Sequence, residues 1–239
     1  MNGVEKVIEV KNLFKSFKAG NEEITVLNDI SLDILKGEFV SIMGPSGCGK
    51  STLLYLMGGL DNPSKGQIII NGKDISKLSD KNISRLRRRE LGFVFQFYNL
   101  VQNLNVEDNI LLPILLDGGK PKNYKKDLDE ILDIIELSHK RKVTPRELSG
   151  GQQQRVAIAR ALINNPDIIL ADEPIGNLDS KTGIEIMKLF QRINKERKMT
   201  IVNVTHSRQS AEYGTHIVFL KDGVIIDKEE LEWKLPKIN

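Results

Sequence analysis

The chain has 239 residues, of which 40% are hydrophobic and 28% are charged, as is usual for a globular protein. The chain has 35 basic and 32 acidic residues, and this net charge of +3 does not suggest a protein that coats nucleic acid. The arginines at 85 and 87–89 are interpreted as a solvated helix face rather than a binding patch. One cysteine, Cys48, excludes an intrachain disulfide and fits a reducing compartment. The N-terminus lacks a signal-peptide pattern, and the longest apolar run, residues 110–116, is far shorter than the roughly 20 residues of a membrane span. Any work at a membrane would therefore need a separate anchor.

Hydrophobic periodicity predicts strands and helices in alternation at both ends of the chain, with a helical block between them. The pairs Asn71-Gly72 and Asp222-Gly223 are typical of hairpin turns. This order predicts an α/β core with a helical insertion. The predicted strands cover residues 7–17, 24–34, 38–43, 67–70, 92–95, 167–171, 199–205, 215–220 and 224–227, and the predicted helices cover 49–57, 79–90, Asn105 through Ile110, 127–137 and 180–194.

A phosphate-binding loop is predicted at residues 44–51, which read GPSGCGKS and match G-x-x-x-x-G-K-[ST] between an apolar strand and a helix. The glycines allow backbone N–H groups to turn toward a β-phosphate, and the positive end of the helix dipole favours an anion there. We expect Lys50 to reach the β- and γ-phosphates of ATP and Ser51 to ligate Mg²⁺. The alternative is a glycine-rich turn that only starts a helix. The nucleotide-binding residues predicted here are Gly44, Pro45, Ser46, Gly47, Cys48, Gly49, Lys50, Ser51 and Thr52.

Two adjacent carboxylates, Asp172 and Glu173, follow the apolar strand 167–171. In open α/β sheets ligands bind at the carboxyl ends of strands. We expect Asp172 to hold Mg²⁺ through water and Glu173 to take a proton from the water that attacks the γ-phosphate. The alternative is a pair of solvent-exposed carboxylates at a strand end.

A second glycine-rich stretch, LSGGQQQR at residues 148–155, also precedes a predicted helix but contains no lysine. On its own, Ser149 with Gln152 three residues later predicts a capping box, in which each side chain bonds the backbone N–H of the other residue. The stretch nevertheless has the small residues and the helix start of an anion site. The chain thus carries two loops suited to phosphate, and only one of them has a cation. A resemblance to a known family explains this difference.

Together with Gln96, Asn177-Leu178-Asp179 and Thr205-His206, these motifs make nearly the whole chain resemble the ATP-binding-cassette ATPases of ABC transporters. The stretches 95–100 and 176–180 are most similar to the lipoprotein-releasing and macrolide-export subgroup. The resemblance implies a P-loop NTPase (RecA-like) core with an N-terminal antiparallel β subdomain and an inserted α-helical subdomain. It implies one domain over residues 1–239, with the nucleotide-binding core at about 1–96 and 160–239 and the helical subdomain, with the signature motif, at about 97–159.

The resemblance also implies that two copies of the chain dimerise head to tail around two ATP molecules. Each ATP would lie between the phosphate loop of one subunit and the signature motif of the other, which needs no lysine because Lys50 of the opposite subunit supplies the charge. The signature residues that would bind ATP are Ser149, Gly150, Gly151 and Gln152.

Four further residues take roles from the resemblance, and each has a simpler alternative. Gln96 would contact Mg²⁺ or the attacking water, or else be a polar strand terminus. His206 would grip the γ-phosphate and orient Glu173 or the water, or else be an ordinary residue after a strand. Asp179 would signal across the dimer, or else cap a helix. Phe17 would stack on adenine, or else be a buried core side chain.

Three positions depart from the family pattern. Phe17 stands where tyrosine is more frequent, Ile175 where the similar subgroup usually has threonine, and Ser207 where aspartate is frequent. A flat ring at Phe17 can still stack on a base, whereas Ile175 cannot donate a hydrogen bond. We expect Ser207 to keep the helix cap that aspartate would supply.

The favoured function is the ATP-hydrolysing motor of a transporter. A separate permease would hold it at the cytoplasmic face of the membrane. Its task would be export, or the extraction of a lipoprotein or peptide. The surface that would contact the permease is residues 98–106. A cell-division complex that transports nothing is the alternative within this class. DNA-repair ATPases of the superfamily need a long coiled coil or a zinc module, and translation-factor ATPases fuse two cassettes. A small-molecule kinase would leave the signature motif without a role.

Overall fold

Two compact units make up residues 5–231, the part of the chain that the computed structural model describes. One unit takes residues 5–76 and 201–231, and the other takes 77–200. In chain order the elements are β1 (Lys6–Ala19), β2 (Glu22–Leu35), β3 (Phe39–Met43), α1 (Lys50–Met57), β4 (Lys65–Ile70), β5 (Lys73–Asp74), α2 (Asp80–Arg89), β6 (Leu91–Val94), α3 (Val106–Leu116), α4 (Lys125–Ile134), α5 (Gly150–Leu162), β7 (Ile168–Asp172), α6 (Ser180–Arg197), β8 (Thr200–Thr205), α7 (Arg208–Ala211), β9 (His216–Lys221) and β10 (Val224–Glu230).

An antiparallel sheet of order β2-β1-β4-β5 forms one layer of the first unit. Its strands alternate buried and exposed residues, with Ile8 and Val10 in the core, because one face of an antiparallel sheet commonly packs while the other meets water. Asn71 and Gly72 adopt φ values of 47° and 74° in the turn between β4 and β5. The predicted N-terminal β subdomain is therefore confirmed.

A parallel arrangement places β3 between β8 and β9 in the same unit, with β10 added antiparallel to β9. β8 is buried along its whole length and β3 nearly so, as expected for strands covered on both faces. The β9–β10 hairpin turns at Asp222 and Gly223, whose φ values are 47° and 76°. This arrangement fixes the carboxyl end of β3, where the phosphate loop begins.

The second unit is built mainly from helices. β6 and β7 pair in parallel, and α5 packs against β6, α3, α4 and α6. α5 and β6 approach closely at Gly92, where a Cβ would lie 2.6 Å from the carbonyl oxygen of Ala161. The apolar residues between the helices, such as Ile110, Leu132 and Val156, are fully or almost fully buried. This unit carries both the strand that delivers Asp172 and the helix that follows the signature motif.

α3 is longer than its sequence predicts, since it runs to Leu116 rather than ending near Ile110. Pro113 lies inside the helix and cannot donate the usual hydrogen bond to the carbonyl of Asn109. The helix continues because Ile110 and Ile114 are buried on one face, and that packing outweighs the local preference.

Two helices end at left-handed residues that the sequence pattern does not mark. α4 stops at Ile134 rather than at residue 137, and Glu136 just beyond it has a φ of 61°. α6 extends to Arg197, past the predicted end at residue 194, and is closed by Lys198 with a φ of 51°. A left-handed residue commonly terminates a helix. Among the helices of residues 5–231, none combines the length and apolar composition of a membrane span.

Candidate nucleotide-binding and signature loops

The loop between β3 and α1 depends on its glycines for two different reasons. Gly47 and Gly49 have φ values of 78° and 100°, which side chains rarely adopt. Gly44 instead lies so close to β9 that a Cβ would be 2.0 Å from the carbonyl oxygen of Leu220. Pro45, Ser46 and Gly47 are exposed at the tip of the loop. The loop is thus shaped by backbone requirements and presents backbone to solvent.

The Lys50 side chain is buried in this loop, at only 5% exposure. Its Nζ donates to the carbonyl oxygens of Gly44 and Pro45, each at 2.8 Å. The ammonium therefore lies against the backbone that a phosphate group would approach. Ser51 and Thr52 follow in the first turn of α1 and are half-buried.

Cys48 lies at the base of the same loop rather than at its tip. The residue is 6% exposed, and a Cβ at position 44 would lie 2.8 Å from its Sγ. The thiol therefore faces the Gly44 backbone. Alkylating reagents have little access to it.

Phe17 is 44% exposed near the end of β1, so the interpretation as a buried core side chain is wrong. The ammonium of Lys15 lies 4.6 Å from the ring centroid, within cation–π distance. Lys15 is itself held by Asp61 Oδ1 and the carbonyl of Asn62, each at 2.8 Å. The ring is accessible enough to stack on a planar base.

His206 is exposed in the turn after β8. The N–H of Ser207 donates to Thr205 Oγ1 at 3.1 Å, and Ser207 Oγ caps α7 by accepting from the N–H of Ser210 at 3.3 Å. The predicted cap at Ser207 is therefore confirmed. The geometry of this turn is set by hydrogen bonds on both sides of the histidine.

Arg208, directly after this turn, is a residue that the motif analysis missed. Its guanidinium makes a bidentate pair with Glu229 of β10, at 2.7 Å for both bonds, and a third bond of 2.9 Å to Glu212. It also lies 5.9 Å from the ring centroid of Phe219. These contacts fasten the short helix α7 to the β9–β10 hairpin.

In the second unit, β7 delivers Asp172 at 7% exposure and Glu173 half-buried just beyond it. Glu173 has a φ of 44°, a conformation that is uncommon for a residue with a side chain and typical of functional turns. The turn closes when the N–H of Gly176 donates to the carbonyl of Glu173 at 2.9 Å. The backbone conformation therefore changes between Asp172, the last residue of the strand, and Glu173, the first residue of the turn.

Gln96 meets the same turn within this unit. Asn177 Nδ2 donates to the carbonyl of Gln96 at 3.0 Å, and a Cβ at Gly176 would lie 2.8 Å from Gln96 Nε2. The fold thus brings Gln96 beside the segment that follows Glu173, although 80 residues of sequence separate Gln96 from Gly176. Periodicity could not reveal this contact.

The signature motif forms the capping box that its sequence allows. Ser149 Oγ accepts from the N–H of Gln152 at 3.3 Å, and Gln152 Oε1 accepts from the N–H of Ser149 at 3.1 Å. Lys140 Nζ also donates to Gln152 Oε1 at 3.1 Å. Ser149 remains exposed at the start of α5. Capping leaves the hydroxyl on the surface, where its own hydrogen can be donated.

The two glycines of the signature motif are required by close packing. A Cβ at Gly151 would lie 2.3 Å from Cγ2 of Thr182, and a Cβ at Gly150 would lie 2.8 Å from the hydroxyl oxygen of Tyr98. Neither glycine has a positive φ. Larger residues would push α5 away from α6 and from the chain segment that contains Tyr98.

Asp179 caps α6, as the simpler interpretation of this residue expects. Its Oδ1 accepts from the N–H groups of Lys181 and Thr182 at 3.1 Å, and its Oδ2 accepts from Thr182 Oγ1 at 2.6 Å. The Thr182 hydroxyl, together with these backbone bonds, lowers the pKa of Asp179. The carboxylate is held ionised and exposed.

The residues predicted to hold Mg²⁺ offer a hydroxyl (Ser51), an amide oxygen (Gln96) and a carboxylate (Asp172). All are oxygen donors, which Mg²⁺ prefers. Within residues 5–231, His, Cys, Asp and Glu side chains nowhere gather in a group of three that could cage a metal. Each of the three is a ligand of the kind that Mg²⁺ takes beside phosphate groups and water.

Two more residues that the motifs did not mark are Asn109 and Arg160. Asn109 is fully buried; its Oδ1 accepts from the N–H of Val101, and its Nδ2 donates to the carbonyls of Val101, Leu104 and Asn105. Arg160 donates to the carbonyls of Tyr98 and Asn99. Arg160 interrupts the apolar run of α5, and that interruption was the available signal, whereas Asn109 follows Glu107 and Asp108 and is not marked by its neighbours.

Comparison with known proteins identifies similar chains over nearly the whole length. The family model for ABC transporters matches residues 27–176. The solved structure described as a dimeric post-hydrolysis state of the ATP-binding cassette MJ0796 bound to ADP and Pi, a protein of Methanocaldococcus jannaschii, has a TM-score of 0.86 and 44% identity. It covers 95% of this chain and 100% of that one.

Two named transport proteins are also similar. The lipoprotein-releasing system ATP-binding protein LolD of Colwellia psychrerythraea is 45% identical over 203 residues, which are 85% of this chain and 79% of LolD. The macrolide export ATP-binding/permease protein MacB of a Shewanella species (strain ANA-3) is 44% identical over 223 residues, which are 93% of this chain and 34% of MacB. This chain therefore spans about a third of the MacB polypeptide.

Proposed function

Because the chain belongs to the family of ABC transporter ATP-binding proteins, we propose that it is the ATP-hydrolysing subunit that drives a separate membrane permease. Its fold is the P-loop NTPase fold of that family, with an antiparallel β subdomain and an inserted helical subdomain. It is an ATPase that uses ATP and Mg²⁺. The proposed domain is single, with a nucleotide-binding core at about 1–96 and 160–239 and a helical subdomain at about 97–159.

The observation that carries the proposal is the pair of unlike loops. The phosphate loop contains a buried lysine whose amine lies against loop carbonyls, and the signature loop offers an exposed serine at a helix start without a cation. We infer that two chains pair head to tail, so that each ATP contacts Lys50 of one subunit and Ser149 of the other. The dimeric form of MJ0796 supports this arrangement.

In the proposed reaction Lys50 binds the β- and γ-phosphate oxygens, and the N–H groups of residues 44–51 surround them. Glu173 accepts a proton from the attacking water, and its fixed backbone conformation directs the carboxylate. His206 donates a hydrogen bond to the γ-phosphate from the turn that the Ser207 hydrogen bonds fix. Bound Mg²⁺, held by Ser51, Gln96 and Asp172, would neutralise charge that develops on the phosphates.

The remaining nucleotide contacts are proposed on the same basis. Phe17 stacks on adenine with its exposed ring, and Gly150, Gly151 and Gln152 support Ser149 at the phosphate. Asp179, already fixed as a helix cap, faces the partner subunit and reports the state of one site to the other.

The permease is proposed to dock on an exposed apolar surface of the second unit. The surface predicted at residues 98–106 is wrong for Leu100 and Val106, which are buried in the core. The exposed apolar side chains of this segment are Val101 and, just before the predicted range, Phe97, which is 69% exposed. Exposed apolar side chains of this size mark interaction sites when they occur together. An amphipathic helix of the permease would suit them and would hold the chain at the cytoplasmic face of the membrane. The similarity to LolD and MacB favours export or extraction of a lipoprotein or peptide.

The test is the nucleotide dependence of assembly in the Glu173→Gln variant. General-base catalysis typically contributes about 10²–10⁴-fold to rate, so this variant should bind ATP and retain it. Size-exclusion chromatography with light scattering should show a dimer with MgATP and a monomer with MgADP, because ATP that bridges the subunits shifts their association by mass action. A variant that stays monomeric at saturating MgATP would overturn the proposed arrangement.

A further inference from the structure

Residues 96–101, here called the strap, connect β6 to the loop that precedes α3 and lie, with the residues that contact them, in the second unit. The strap includes Gln96, and it begins the proposed permease surface at Phe97. It is also where Arg160 of α5, the helix of the signature motif, bonds to backbone outside the helix. These contacts show how a partner on the strap could influence Ser149.

Arg160, in the last turn of α5, holds the strap by its backbone. Nη1 donates to the carbonyl of Asn99 at 2.6 Å and Nη2 donates to the carbonyl of Tyr98 at 2.9 Å. Asn99 has a φ of 51°, a conformation that turns the backbone sharply at this point. Burial lowers the pKa of Arg160, but a guanidinium stays charged in proteins. Its planar fork matches two neighbouring carbonyls, which a lysine ammonium cannot do with fixed geometry.

Tyr98 connects the same strap to the opposite end of α5. A Cβ at Gly150, the first residue of the helix, would lie 2.8 Å from the Tyr98 hydroxyl oxygen. Burial raises the pKa of Tyr98, so the hydroxyl is neutral at physiological pH. Tyr98 therefore contacts α5 at two places, with its carbonyl bonded to Arg160 and its hydroxyl packed beside Gly150, the residue after Ser149.

Both ends of the strap are fixed by other residues. Asn177 Nδ2 donates to the Gln96 carbonyl, and the Asn109 side chain holds Val101 by both its N–H and its carbonyl. A segment anchored at both ends transmits a displacement instead of absorbing it by local bending.

We propose that Arg160 is a positioning residue that couples the strap to the signature motif, so that a partner which moves Phe97 and Tyr98 shifts α5 and the orientation of Ser149. This inference rests on the proposed function, because it needs Ser149 to bind ATP in a dimer. It assigns the coupling to two carbonyl hydrogen bonds and one hydroxyl contact. It also predicts that loosening the strap loosens the start of α5, about ten residues away along the helix from Arg160.

The first test is hydrogen–deuterium exchange on the full chain with Arg160→Lys. This variant keeps the charge and the aliphatic stem but loses the fork. Arg192→Lys is the matched control, because Arg192 lies on α6 of the same unit and donates to the carbonyl of Ile134 instead of the strap. Amides in 97–101 and in 149–153 should both exchange about tenfold faster in Arg160→Lys, within the range seen for coupling residues, and change little in the control. Faster exchange at 97–101 with 149–153 unchanged would refute the coupling.

Tyr98→Phe keeps the proposal testable if Arg160→Lys does not fold. It removes only the hydroxyl that packs against Gly150, and it should speed exchange at 149–153. Unchanged exchange there in a folded Tyr98→Phe protein would also refute the coupling.

The second test measures dimerisation with MgATP in the Glu173→Gln background. Arg160→Lys should raise the dimer dissociation constant about tenfold, whereas the affinity of the monomer for MgATP should stay within about twofold. Equal dimerisation with and without Arg160→Lys would refute this inference alone. Failure of Glu173→Gln itself to dimerise would refute the proposed function, and hydrogen exchange would still decide the coupling.

Discussion

The phosphate loop at 44–51 and the signature loop at 148–155 look alike in sequence but are built differently. Both are rich in glycine and both precede a helix, α1 or α5. In the first loop Gly47 and Gly49 supply positive φ angles, and in the second Gly151 supplies room for Thr182. The first loop is a special backbone conformation, whereas the second is an ordinary helix start packed closely on its neighbours.

Their polar residues differ in the same way. Lys50 is buried and bonded to carbonyls of its own loop, while Ser149 is exposed and caps its own helix. A loop with an internal cation can bind phosphate alone. A capped helix start without a cation can only complete a site whose charge is supplied elsewhere. The difference agrees with the proposal that the two loops contact one ATP from different subunits.

The largest effect should come from Lys50→Ala. Removing a preorganised donor from a developing charge typically costs about 10²–10³-fold in kcat, and ATP affinity should fall as well. Turnover and nucleotide titration should be measured beside Lys65→Ala, which removes an exposed lysine of the same unit. Wild-type turnover in Lys50→Ala would contradict the assignment of the phosphate loop.

Ser149→Asp separates capping from phosphate binding, because aspartate is as good a helix cap as serine but carries a negative charge. In the Glu173→Gln background the ATP-dependent dimer should weaken by at least about 100-fold, since like charges placed together cost several kcal/mol. Stability to urea should stay within about 0.5 kcal/mol of the parent.

Ser149→Ala is the control, since it loses the cap without adding charge and should cost about 1 kcal/mol of stability. If Ser149→Asp dimerises as well as its parent, the serine only caps its helix.

Gly151→Ala should destabilise the chain by about 1–3 kcal/mol, the usual result of overpacking. Thr182→Ser should restore most of this loss, because it removes Cγ2 but keeps the hydroxyl that bonds Asp179. Gly47→Ala is the contrasting control, since nothing lies within 4 Å of its Cβ position and its strain comes from φ alone. Urea unfolding of all three variants measures the difference, and a Gly151→Ala protein of full stability would show that α5 can shift.

The smallest effect should come from Glu107, which supports the segment before the signature loop. Burial alone would raise its pKa, but ion pairs with Lys142 and Arg141 (2.5 Å to the latter) lower the pKa below the ordinary 4.5. A lowered pKa stabilises the fold above the unfolded-state pKa, and the stabilisation is lost as pH falls through the folded value. Glu107→Gln should therefore cost about 1 kcal/mol at pH 7 and progressively less below about pH 4.3. If the free energy of unfolding of Glu107→Gln differed from that of the parent by the same amount at every pH, the effect would come from packing and not from the ion pairs.

Local patterns predicted the parts of the site that are continuous in sequence. The strand–loop–helix context of Lys50, the carboxylates after β7 and the cap at Ser149 could all be found because each depends on neighbours within a few residues. The same patterns could not choose between two roles for Ser149 and Asp179, since a capping side chain looks identical in both.

Contacts between distant parts of the chain could not be predicted. Arg160 meets Asn99 and Tyr98 across 61 and 62 residues, and no periodicity encodes such a pairing. α3 continues beyond Pro113 because Ile110 and Ile114 are buried, and that burial exists only once the helices have packed together. Phe17 was open to a buried interpretation for the same reason, because its exposure depends on what covers the end of β1.

The contact of Lys50 with the carbonyls of Gly44 and Pro45 means that its ion pair with a bound phosphate forms partly by exchange of hydrogen-bond partners. The ammonium has three N–H donors, of which two bond these carbonyls, so contact with several phosphate oxygens replaces at least one carbonyl bond. The heat released on binding therefore reports a difference between two sets of bonds. Calorimetric enthalpies for this loop should understate how strongly the lysine holds phosphate.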